Sequence, residues 1–211
     1  MDRQNKKPDW LFYLAWVIFS ALAIPLALGG TFPILAAITN QIGGYITVNG
    51  QRHIAEDYLF MFIFVPLLCL LTSFLQALLL RPYFPKIIGG WVGVTALGWL
   101  AGVVSIQGVG ALFQSGAFFN LGMILGFAWV GTCIGFFQWL LLRRHLRQAG
   151  WWIVASLLGW VLAALGTYTP IKNGSTLAQL LSVGFVPALV TGLAWWFLLK
   201  PKTTLENSVL A

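Results

Sequence analysis

Charge is what this sequence has least of. Of 211 residues only 8% are Asp, Glu, Lys or Arg, while 59% are apolar. An ordinary soluble domain carries about 25% charged residues. So few charges cannot cover a water-soluble globule holding this much hydrocarbon, so the chain is expected to be an integral membrane protein. Disorder, which needs low hydrophobicity and high charge, is excluded by the same numbers. Cysteine is also scarce: Cys69 and Cys133 are too few for a disulfide framework and read as small packing residues inside apolar runs.

The chemistry of an active site is missing as well. His53 falls in a loop and His145 at a helix end, on opposite expected sides, so they cannot share a metal or a transmembrane haem. No lysine lies within an apolar run, which excludes a retinal Schiff base. Charged residues inside the membrane mark ion pathways and proton relays, and none occupies the core of an apolar run. With no nucleophile–base pair, metal-ligand spacing or phosphate loop, neither an enzyme nor a cofactor or metal is expected.

What the chain does have is hydrophobic length. Six apolar runs, near residues 10–28, 58–80, 87–104, 117–142, 151–167 and 177–199, approach or exceed the roughly 20 residues needed to cross a bilayer core. They are continuously apolar and do not alternate, so helices are predicted and strands are not. The first run follows Arg3, Lys6 and Lys7 and contains Ala21-Leu22-Ala23, so it can be read as a signal peptide. Its apolar stretch is longer than a signal sequence needs, and it is expected to stay as a span.

Lys and Arg distribution gives the orientation. Arg3, Lys6, Lys7, Arg81, Lys86, Arg143, Arg144, Arg147, Lys200 and Lys202 fall on one side of six spans; Arg52 and Lys172 fall on the other. Cytoplasmic loops hold the excess of basic residues, so both termini are expected in the cytoplasm. The formal charge of +7 is thereby explained by topology and contact with lipid headgroups, without nucleic acid as a partner.

An internal repeat is visible. The run Phe74-Leu75-Gln76-Ala77-Leu78-Leu79-Leu80-Arg81 matches Phe136-Phe137-Gln138-Trp139-Leu140-Leu141-Leu142-Arg143, with a weaker copy at Leu193-Ala194-Trp195-Trp196-Phe197-Leu198-Leu199-Lys200. The intervening runs also align, placing Trp91 through Gly98-Trp99 over Trp152 through Gly159-Trp160, and more loosely over Trp16 through Ile24. The expected fold is all-α: a single transmembrane domain of three tandem parallel helical hairpins in a pseudo-threefold bundle about an axis along the membrane normal.

The run Gly131-x3-Gly135-Phe136-Phe137-Gln138-Trp139-Leu140-Leu141-Leu142-Arg143-Arg144, followed by Gly150-Trp151-Trp152 and Leu158-Gly159-Trp160, resembles a group of bacterial polytopic membrane proteins. These repeat a Gly-x-x-Gln-Trp-Leu-x-Leu-Arg motif with a following Trp-Trp and Leu-Gly-Trp. The match is close in the fourth and fifth runs, fair in the second and third, and poor in the first and sixth. Ala77 stands where the motif has Trp, and Trp195 where it has Gln. The resemblance implies a bacterial cytoplasmic (inner) membrane location and carries no known activity.

Polar residues inside the runs are the candidate sites. Gln76 and Gln138 each precede a basic helix end by five residues, about 7.5 Å of helix. An amide at that depth needs a partner, supplied by a neighbouring helix or by a lipid or ligand. Asn120 is treated likewise. Trp99 and Trp160 lie deep enough to line such a pocket or to pack in the core. Trp10, Trp91, Trp139, Trp151, Trp152, Trp195 and Trp196 are expected to anchor helices in the headgroup region. Glycines at four-residue spacing (Gly89 and Gly93, Gly98 and Gly102, Gly122 and Gly126, Gly131 and Gly135) predict close helix packing in the bundle, or self-association between copies. Residues 29–57 are expected as a long exterior loop, re-entrant, interfacial or a cap, whose Arg52, His53, Glu56 and Asp57 form a candidate partner site.

Two functions fit. One is a non-catalytic accessory, assembly or scaffold subunit of a larger membrane complex, or a lipid-binding protein. The other is a small permease or substrate-capture component for a neutral or lipophilic solute. Polar side chains converging at mid-membrane favour transport; a packed apolar axis favours the accessory role.

Overall fold

A continuously apolar segment in lipid has no water to bond its backbone, so it closes its own hydrogen bonds as a helix. The computed structural model describes residues 9–110, 119–173 and 176–199; the side chains of 61, 107–110, 119–120, 168–173 and 176–181 fall outside the description. Six helices result: α1 Trp10–Ile42, α2 Ala55–Leu80, α3 Ile88–Gly110, α4 Phe119–Leu142, α5 Trp151–Asn173 and α6 Thr176–Leu198. By length and composition α1, α2, α3 and α4 can cross a membrane. In α5 and α6 the described apolar stretches are shorter, Trp151–Thr167 and Ser182–Leu198. The chain is a multi-pass helical membrane protein. Arg3, Lys6, Lys7, Lys200 and Lys202 lie outside the described residues.

The expected exterior loop is mostly not a loop. Instead of ending near residue 28, α1 continues to Ile42. Gly29-Gly30 and Pro33, which read as a break, sit inside the helix. Gly30 faces the Leu67 side chain of α2, and nothing crowds Gly29. The Thr31 and Thr39 hydroxyls donate to the Ala27 and Ala36 carbonyls one turn back. The real stop is Gly43, at φ 82°, whose N–H donates to the Thr39 carbonyl in a left-handed cap. Beyond it β1 (Tyr45–Val48) and β2 (Gln51–Ile54) form an antiparallel hairpin, pairing Val48 with Gln51 across Asn49-Gly50. Those two residues have φ of 50° and 78°, the positive pair a two-residue hairpin turn requires. α2 then starts at Ala55, whose N–H donates to the Gly44 carbonyl.

Each helix packs on its neighbours in the chain, and α6 packs back on α1, so the six close into a ring; the β-hairpin rests on α1 and α2. The α2–α3 and α4–α5 connections are built alike. The fully buried Leu80 offers its carbonyl to the N–H groups of Tyr83 and Phe84, and the fully buried Leu142 offers its own to His145 and Leu146. At the start of α1, Asp9 accepts from the Phe12 N–H at 3.1 Å and caps the helix.

Glycine lets the ring draw tight. A methyl group added at Gly98 would lie 2.6 Å from the Ile134 Cα, and one at Gly102 would lie 3.0 Å from the Val130 Cα, joining α3 to α4. Gly131 meets Trp160, Gly135 meets Ser156, and Gly159 meets the Pro187 Cα, joining α4 to α5 and α5 to α6. Gly126 lies against the Ile106 side chain. Gly89 and Gly93 face open space, so that stripe does not pack within the bundle. Gly98→Ala is expected to destabilise by about 1–3 kcal/mol through overpacking against backbone, with Gly93→Ala neutral or slightly stabilising. Thermal unfolding of both variants in detergent checks this.

Candidate functional site

Indole carries a large apolar body and one N–H that must find an acceptor when buried. Four tryptophans gather at one end of the ring, and three of them find that acceptor. Trp16 (α1), Trp91 (α3) and Trp152 (α5) form a near-equilateral triangle, with ring centroids 6.3, 5.9 and 6.0 Å apart. Trp195 of α6 packs on all three, closest to Trp152 at 4.8 Å. All four are essentially inaccessible. Trp91, Trp152 and Trp195 therefore do not anchor the headgroup region as their chain positions suggested; they plug the ring. Trp10, Trp151 and Trp196 do face outward, and the Arg143 guanidinium lies 5.1 Å over the Trp139 ring. Tyr83, in the α2–α3 turn, packs edge-on to Phe12 beside the plug. Burial first, and the charge of Asp9 second, hold its phenol above the ordinary tyrosine value.

The glutamines supply the acceptors. Trp91 Nε1 donates to Gln76 Oε1 at 3.2 Å, and Gln76 Nε2 donates to Ser20 Oγ at 3.1 Å. Two helices along, Trp152 Nε1 donates to Gln138 Oε1 at 2.8 Å, and Gln138 Nε2 donates to Thr95 Oγ1 at 3.0 Å. Each amide thus ties its own helix to both neighbours: α2 to α1 and α3, and α4 to α3 and α5. Trp16 Nε1 instead donates to Thr191 Oγ1 of α6 at 3.1 Å. Thr191 donates onward to the Pro187 carbonyl, and Ser156 of α5 donates to the Gly131 carbonyl of α4. Among the described residues, Trp195 Nε1 is the buried side-chain polar atom left without a partner.

These residues line a cavity of about 60 Å³ within the ring. Ser20, Thr72, Gln76, Thr95, Gln138, Ser156 and Thr191 supply its polar wall, and Ile24, Leu68, Trp99, Ile134, Trp160 and Val183 supply its apolar wall. Trp99 and Trp160 meet edge to face at 5.2 Å. The expected candidates Gln76, Gln138, Trp99 and Trp160 are therefore brought together. Asn120 lies in the first turn of α4, but its side chain lies outside the described residues. Residue-type reasoning overlooked Ser20, Thr95, Ser156 and Thr191. A signal was there: Ser20, Thr95 and Ser156 each follow a plug tryptophan by four residues.

The second expected cluster lies on the β-hairpin and the first turn of α2, away from the plug. Arg52 stacks over the Tyr45 ring at 4.0 Å, and the His53 ring lies 5.5 Å from that of Tyr58. Glu56 and Asp57 border a shallow cleft with Phe32, Leu35, Ala36 and Phe60. Their position in the first turn suits the positive end of the helix dipole.

No protein-family model, curated protein or solved structure matches the chain. The site is accordingly read from its own geometry: uncharged side chains locking helices together above an aromatic seal. Replacing Gln138 by Leu strands the Trp152 N–H, and the expected loss is about 1–3 kcal/mol. In a double-mutant cycle with Trp152→Phe, the two changes are expected to couple by about 1 kcal/mol. Additive losses in thermal unfolding contradict the bond.

Proposed function

We propose that the chain is a non-catalytic membrane protein serving as an accessory, assembly or scaffold subunit of a larger membrane complex. It is built as three tandem parallel helical hairpins around an axis along the membrane normal. The observation that carries this reading is the plugged end of the axis. Four buried tryptophans close one end, and the polar side chains beyond them spend hydrogen bonds on neighbouring helices. A threefold plan explains why Gln76 and Gln138 hold equivalent bonds, why Trp16, Trp91 and Trp152 form a triangle, and why the turns after Leu80 and Leu142 share one pattern. In the third hairpin Trp195 stands where the others have glutamine, and Thr191, one turn away, takes over as acceptor for Trp16.

The orientation proposed is six spans in a bacterial inner membrane with both termini cytoplasmic, since ten of the twelve Lys and Arg residues then lie inside. The plug sits at the cytoplasmic end. The β-hairpin, with Arg52, His53, Glu56 and Asp57, faces outward. There Phe32, Ile42, Tyr45 and Ile54 are exposed, an apolar surface suited to a partner.

The convergence of polar groups on the axis favours a second reading, capture of a neutral solute. Against capture at the axis stands volume: the cavity there is about 60 Å³, far below the roughly 300 Å³ at which ligand pockets begin. The larger apolar groove of about 460 Å³ lies on the outer face, among the exposed Trp151, Leu158 and Leu193.

Native mass spectrometry of the protein released gently from its own membrane separates the two. A second protein at fixed stoichiometry is expected, lost on Phe32→Glu with Ile42→Glu while the melting temperature holds. A lone chain carrying a defined small molecule overturns the accessory role.

A further inference from the structure

The hydrogen bonds around the central cavity leave donors over. Gln76 and Gln138 each commit one amide hydrogen, to Ser20 and to Thr95, and each has a second. Ser20 and Thr95 accept those bonds, but their own hydroxyl hydrogens have no acceptor among the described residues. Thr72, on the same wall, makes no hydrogen bond to any described residue. Gln76, Thr95 and Gln138 are all more than nine-tenths buried. In a bilayer core no bulk water reaches such groups, and each unmet donor costs on the order of 1–3 kcal/mol.

The wall also limits what can satisfy them. Among the described residues no charged one lines the cavity, so none of them offsets the dehydration of an ion. A water molecule needs roughly 10–15 Å³ of such space, or about 30 Å³ at its share of the liquid. A cavity of about 60 Å³ therefore suits about two to six waters and is too small for a drug-sized solute. An apolar cavity of this size would stay dry; a polar one does not.

We infer that the cavity is a binding site for a small cluster of ordered water molecules held by the Gln76 and Gln138 amides and the Ser20, Thr72 and Thr95 hydroxyls. The cluster is an integral part of the bundle, linking α1, α2, α3 and α4 beyond the direct bonds, and it stands whether or not the protein has a protein partner.

Thr72→Val tests the inference through the sign of one number. Valine matches threonine in shape and removes only the hydroxyl. If the hydroxyl bonds water, the variant in lipid nanodiscs is expected to melt about 2–4 °C lower. If the cavity is dry, the same change removes an unmet polar group and raises the melting temperature, which overturns the inference. A structure of the wild-type protein at a resolution that shows water supplies the second reading. About two to six separate peaks are expected in the cavity, among them one within hydrogen-bond distance of Gln76 Nε2 and one of Gln138 Nε2. An empty cavity, or one continuous elongated density, contradicts it.

Discussion

Everything in this bundle depends on giving buried indole N–H groups an acceptor where water cannot reach. Hydrocarbon on both sides of a helix removes the usual hydrophobic drive for helix association, leaving packing and interhelix hydrogen bonds to hold the ring. Large indole bodies fill the axis near one end, and their single donors set the next layer of the sequence. Glutamine answers two of them because it accepts with one atom and donates with another, so one side chain spans three helices. Glycine permits the rest: backbones at Gly98, Gly102 and Gly159 come near enough for those short polar reaches to connect.

The unequal third position is informative. On α6 the place of the glutamine is taken by Trp195, which adds aromatic volume to the plug and leaves one donor unmet. Thr191 repairs the bond to Trp16 from one turn away.

Much of this was legible in the sequence, and the limits were physical. The glutamines stood out because amides deep in an apolar run need partners, and the structure gives them partners on neighbouring helices. The roles of the tryptophans were misread because chain position reports height along a helix and not the direction it faces. Trp151 and Trp152 share a height, yet Trp151 is 65% exposed and Trp152 is 1% exposed. The reach of α1 was also hidden. Gly29-Gly30 and Pro33 look like punctuation, but the helix runs on with Thr31, Leu35 and Thr39 buried on one face, and the stop comes only where Gly43 takes a left-handed conformation. Asn49-Gly50 is a pair that favours a two-residue turn; the short strands beside it carried too little alternation to be seen.

The central claim is that the tryptophan N–H groups are bonded inside a sealed axis. It is tested most directly by hydrogen exchange of the indole protons, followed by NMR with 15N-labelled tryptophan in lipid nanodiscs. The indoles of Trp16, Trp91 and Trp152 are expected to exchange over hours, while those of Trp10 and Trp151 exchange too fast to follow. Rapid exchange of the three axial indoles would mean an axis open to bulk water, and would contradict the account.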